Sequence, residues 1–220
     1  MKAHAAAIFV EFVAEFTSRL SRCRVRRSLG LAAATMWLVA HFGGSTRYSR
    51  GMNLYNATIP LFTKFLGAVS GWLDKLEADA TARKYAPGVI LNYHMAPDQY
   101  SFLKQIQAAC DTAKFAVAKM AGKDAPAHAD TEVTVADLRA RLATVITYLN
   151  TFTPADFVGC EERSCTHVWM GGKTLRAGDY LDHFVLPNFH FHMTTAYTVL
   201  RHNGLPVGKM DYLVSLPFQG

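Results

Sequence analysis

The chain has 220 residues, half of them apolar and only 18% charged, so it is long enough for one well-buried domain and too apolar for a disordered chain. Its formal charge of +6 suggests a nucleic-acid or anionic-membrane partner, but the excess is local. Eight basic and two acidic residues precede Met52, and the remaining 15 basic and 15 acidic residues cancel, which argues against nucleic acid as a partner of the main domain. Four cysteines, Cys23, Cys110, Cys160 and Cys165, exclude a disulfide scaffold and favour a cytoplasmic protein with reduced thiols.

Residues 1–51 read as a separate extension. An apolar stretch, "AAAIFVEFVAEF", precedes the basic run "SRLSRCRVRRSLG", and residues 29–42 are apolar again. Basic followed by apolar is the order of an export signal or anchor. The apolar run is shorter than the ~20 residues a spanning helix needs, and no small-x-small cleavage site follows it. The favoured reading places the natural start at Met52, with a poorly ordered extension before it. A membrane anchor at residues 29–42 and a docked extra helix are the alternatives.

From Met52 onward the helical period is plain. Tyr55, Ile59, Phe62, Leu66, Val69, Leu73 and Leu76 recur at steps of three and four, which predicts a helix ending near Ala80. A break at Pro87, Gly88 and Pro97 leads to a second helix expected to start at Pro97–Asp98. Its seam is Leu103, Ile106, Cys110, Ala113, Val117 and Met120, and Gly122 ends it. Thr134 and Asp137 have the spacing of a capping box and open a third helix along Leu138, Leu142, Val145 and Leu149. "CTHVWM", a glycine pair and "KTLRA" predict a short β-hairpin. A fourth helix runs from "AGDYLDHF" to Asn203–Gly204, and the tail is expected to pack irregularly across one end. Four such seams predict an all-α antiparallel bundle with a hairpin between helices three and four.

"HFVLPNFHFHMTTAYTVLRHNG" holds four of the nine histidines. On a helix at 100° per residue, His183 and His190 share one polar face with Thr194 and Arg201. His192 lies opposite, among Val185, Phe189, Ala196 and Val199. No two of these three histidines have the i, i+3 or i, i+4 spacing that one metal ion requires. The well-spaced polar pair is Asn188 and His192. Pro187 leaves the carbonyl of His183 without its helical partner, and a bend there would set the direction of His183. On the second helix, Gln107, Asp111 and Lys114 flank the seam on one side, with Asp98 and Gln105 on the other. Cys160, Cys165 and His167 lie close in sequence but lack a fourth zinc ligand.

"RKYAPGVILNYHMAPDQYSFLKQIQAACDTAK" and "DYLDHFVLPNFHFHMTTAYTVLRHNGLPVGKMDYL" resemble a domain-of-unknown-function family within the DinB/YfiT-like superfamily of four-helix bundles. The resemblance spans Met52 to about Leu213 and implies an up-down-down-up bundle, often a homodimer. Relatives in the wider superfamily bind a divalent metal, such as Zn or Ni, through three histidines, two of them in an H-x-x-x-H pair. Some are thiol-dependent transferases. Here that pair reads Asn188-x-x-x-His192, and the helix of the other histidine carries Gln105 and Gln107. Asp98, Gln105, Asp111, Lys114, His183, Asn188 and His192 match the family motif.

Two functional readings follow. The favoured one is a bundle that binds a small molecule or dimerises, with buried polar groups between helices two and four. The other is a metal-dependent transferase or hydrolase. In it, His192 is ligand or base, Asn188 its orienter, and Asp98 or Gln105 the opposing group.

Overall fold

The computed structural model describes residues 53–219. The readings of residues 1–51, among them the anchor at 29–42, fall outside the described residues. Four long helices carry the core, and a two-stranded antiparallel sheet joins the third to the fourth. Among the described residues, no helix is long and apolar enough to cross a membrane.

Helix α1, Leu54–Arg83, starts where the Asn53 side chain accepts a hydrogen bond from the Tyr55 amide. The predicted seam is the buried one: Ile59, Phe62, Leu66, Val69, Leu73 and Leu76 all face the core. Helix α2, Phe102–Ala121, begins later than Pro97–Asp98. Residues 96–98 form a turn, the Phe102 amide donates to the Tyr93 carbonyl, and Ser101 caps the helix through the Lys104 amide. Helix α2 ends at Gly122 in the left-handed region, where the Lys123 amide returns to the Ala118 carbonyl. A side chain there would also collide with the Arg163 guanidinium, since an added Cβ would sit 2.8 Å from Nη1. Helix α3, Val135–Leu149, opens with the predicted capping box of Thr134 and Asp137.

The hairpin is shorter than its sequence suggests. Strands β1, Ser164–Cys165, and β2, Leu175–Arg176, pair over two residues each. A 3-10 turn at Val168–Met170 and the left-handed pair Gly171–Gly172 fill the connection, which leaves no room for longer strands. Helix α4 is built of three continuous segments, Ala177–Tyr180, a π turn Leu181–Val185, and Leu186–His202. The π turn sits where Pro187 removes a donor. The Leu186 amide reaches back five residues to Leu181 instead of four, a local widening of the helix.

Helix α2 is central. It packs most extensively on α4, then on α3, while α1 packs on α3 and the tail. The tail is less irregular than expected, because Lys209–Leu213 forms a short helix against α1. Trp72 Nε1 donates to the Asp211 carbonyl at 2.9 Å, and Lys75 pairs with the Asp211 carboxylate at 2.8 Å.

Candidate functional site

Two polar seams run along α2, one toward α4 and one toward α3. The first contains the pair singled out in the sequence. His192 Nδ1 lies 2.7 Å from Gln105 Oε1. The Gln105 amide nitrogen donates to the Tyr100 carbonyl at 3.2 Å, which fixes the amide orientation. Oε1 is therefore the atom facing His192, and the imidazole donates through Nδ1–H. Burial lowers the pKa of His192 below the ordinary histidine value, which favours the neutral ring with an acceptor lone pair on Nε2. The Tyr100 ring lies nearly parallel to it, with centroids 6.3 Å apart. One turn earlier on α4, Asn188 Nδ2 donates to Thr112 Oγ1 at 2.8 Å. As numbers rise from Gln105 to Thr112 on α2 they fall from His192 to Asn188 on α4, so the two helices run antiparallel.

The second seam is charged. Arg141 of α3 has a side chain with no solvent exposure and is surrounded by carboxylates. Its Nη2 meets Asp111 Oδ1 at 2.7 Å, and its Nη1 meets Asp130 at 2.8 Å and Glu132 at 2.9 Å. Lys114, 1% exposed, pairs with the same Asp111 oxygen at 2.7 Å and donates to His128 Nδ1 at 2.6 Å. Gln107 donates to Glu132 at 2.7 Å. Burial raises the Glu132 carboxyl, but hydrogen bonds from its own backbone amide, then from Gln107 and Arg141, together outweigh it and hold the group below its usual range. Burial, then the Arg141 and Lys114 cations, depress His128. The residues between Gly122 and Thr134 thus retrace α2 as a loop pinned by charges rather than by secondary structure.

A cleft of about 190 Å³ opens on this seam, lined by Tyr100, Lys104, Gln107, Ala108, Asp111 and Asp130. Its lining is mostly polar side chains on one stripe of α2, closed on one side by the loop.

The residues expected at a site divide as follows. Gln105 and His192 come together across α2 and α4, whereas Asn188, expected to orient His192, reaches across to Thr112 instead and leaves that role to Gln105. Asp111, Lys114 and Gln107 come together across α2 and α3. Asp98 does not join either group: it is exposed in the turn before α2, since the helix starts at Phe102. His183 is exposed, because the π turn carries it outward rather than bending it toward the core. His190 is half-buried instead of sharing the open face of His183, because Tyr212 of the tail covers it at 3.2 Å. Cys160 and Cys165, the second of them in β1, are buried free thiols, with pKa raised by burial, to about 11 for Cys160. His167 bonds Tyr180 OH at 2.6 Å.

The residues missed from sequence are Arg141, His128, Asp130 and Glu132. Arg141 carried a signal: it lies three residues after Leu138 and four before Val145, within the buried sector of α3, where a charge must find partners. The nearby "HADTE" supplied them.

The three-histidine metal site that the resemblance implies does not fit these residues. Gln105 and Asn188 are amides already engaged by His192 and Thr112. Among the described residues, no three His, Cys, Asp or Glu side chains converge as a ligand set.

A largely helical chain with these features is a DinB-like protein. Over 79% of its length it matches a crystal structure of a DinB family member protein from Shewanella denitrificans, at 42% identity and a TM-score of 0.75, covering 98% of that chain. Residues 54–213 match the domain of unknown function DUF1993, and the chain belongs to that family. No curated protein matches it.

Proposed function

We propose that the protein is a helical bundle that binds a small polar molecule in the cleft between α2 and the Asp130 loop. The observation that carries this reading is the pair of buried cations beneath the cleft. Arg141 and Lys114 hold Asp111, a carboxylate still 29% exposed that lines the opening. Desolvating two cations is costly, and apolar residues of similar volume give a bundle as much or more stability. Charges retained under an open cleft therefore favour recognition over packing alone. The up-down-down-up order belongs to the same proposal. It is supported by Arg141 meeting Asp111 and Tyr148 meeting the Asp124 carbonyl, contacts that run α2 and α3 in one direction.

A second reading, a metal-dependent transferase or hydrolase, keeps one supporting observation. His192 is oriented through Nδ1 by Gln105, the posture of an imidazole whose Nε2 serves as base or ligand. Metal analysis of the purified chain and of His192→Ala tests it, since stoichiometric Zn or Ni lost in the variant is the result it requires.

The binding reading is tested by amide chemical-shift mapping of the full chain against a panel of small polar metabolites. Shifts clustered at residues 100–111 and at Asp130 are expected, and they vanish in Ala108→Phe, which fills the cleft without removing a charge. A panel without binders, or binding indifferent to Ala108→Phe, would overturn it.

A further inference from the structure

The cleft is electrostatically two-ended. At the α3 end stand three carboxylates, Asp111, Asp130 and Glu132, against two buried cations, Lys114 and Arg141. His128 beside them is held toward its neutral form by burial and by those cations. One negative charge is left over there. At the other end stands Lys104, exposed, with no carboxylate within 4 Å among the described residues. Its ammonium lies 5.8 Å from the centre of the Tyr100 ring. Lys104 and Asp111 are seven residues apart on one helix, so their backbones stand about 10 Å apart along the axis. Ala108 between them offers a methyl group and no polar atom of its side chain.

We propose that the cleft takes a small zwitterion whose ammonium and carboxylate are separated by several methylenes, a molecule of the ω-amino acid class. Its ammonium meets Asp111 and Asp130, where the unbalanced negative charge lies. Its carboxylate meets Lys104 beside Tyr100. Its methylene chain crosses Ala108. An α-amino acid with an uncharged side chain holds its two charges too close together to reach both ends, and a plain amine or plain acid satisfies only one of them. A volume of about 190 Å³ accommodates a chain of this size. The inference rests on the binding reading above and adds the ligand class.

The test is a titration of the full chain, followed by amide shifts, with 5-aminopentanoate and three matched controls: norvaline, its α-amino isomer, pentylamine and pentanoate. 5-Aminopentanoate is expected to shift the amides of Lys104, Ala108, Asp111 and Asp130 and to bind at least tenfold more tightly than each control. Lys104→Met, at an exposed position, is expected to bring it down to the affinity of pentylamine. Equal binding of norvaline or pentylamine, or full affinity in Lys104→Met, overturns the ligand class. If other polar molecules shift the cleft amides and 5-aminopentanoate does not, the class falls while the binding reading stands. If nothing in either panel shifts them, both fall.

Discussion

The two polar seams of α2 solve the same packing problem with opposite chemistry. Toward α4, neutral groups meet in pairs: His192 with Gln105, and Asn188 with Thr112. Each pair is completed by a backbone carbonyl, Tyr100 for Gln105 and Ala108 for Thr112, so the helices are in register without any charge being buried. Toward α3, one guanidinium organises three carboxylates, and two of these, with His128, come from a loop that has no helix or strand of its own. The first seam aligns helices. The second fixes a loop and leaves charge at a cleft. The difference teaches that α2 is a packing partner on one side and, on the other, the wall of the charged cleft for which binding is proposed.

Breaking the charged seam should have the largest effect. Arg141→Met removes the shared partner of Asp111, Asp130 and Glu132 and leaves Lys114 as the one remaining buried cation of the group. Losing one side of a buried ion pair costs about 3–5 kcal/mol, and the partial exposure of these carboxylates puts this case near 3 kcal/mol. Urea unfolding of the full chain measures it. The loop amides between Gly122 and Thr134 should lose hydrogen-exchange protection well before those of α4. A loss under about 1 kcal/mol, or equal effects on both regions, would make the two seams equivalent and sink the comparison.

The neutral seam should respond less, and in a different pattern. His192→Leu strands the buried Gln105 oxygen and is expected to cost about 1–3 kcal/mol. Adding Gln105→Leu removes both partners, and the double variant should recover most of that loss. A double variant no better than His192→Leu alone would mean that the pair does more than satisfy itself, and would strengthen the enzyme reading of His192.

How much of this was legible in the sequence follows the same division. The α1 seam, the α3 capping box and the Gly122 stop are local rules, written in spacings of three and four and in one left-handed glycine, and each is in place. The Asn188–His192 spacing was also local, but it paired the wrong groups: both side chains turn to α2, where Gln105 and not Asn188 orients His192. The start of α2 misled because Pro97 and Asp98 suit a first helical turn, while the deciding bond, from the Phe102 amide to Tyr93, joins residues nine apart. His190 misled because its cover, Tyr212, comes from a tail that no periodicity announces. The Arg141 hub was hidden for a related reason. Its partners sit on a loop whose path depends on α2 and α3 being packed first.

The smallest effect is a pH dependence, and it separates the seams most finely. His128 and His192 both have folded pKa values below the ordinary 6.5. Between the folded and unfolded values the unfolded chain binds more protons, so stability falls as pH drops. The contribution of each ring is fully present above about 6.5 and is lost as pH falls through its folded value. The causes differ. Burial alone depresses His192, whereas His128 is also pushed down by the Arg141 and Lys114 cations. Salt screens the second cause and leaves burial untouched. Urea midpoints between pH 7.5 and 5 should therefore fall for the native chain, and less steeply for either His128→Gln or His192→Gln. Raising the salt should flatten the slope that His192→Gln retains more than the slope that His128→Gln retains. The reverse order would place the charged environment at α4 and invert the assignment of the two sides of α2.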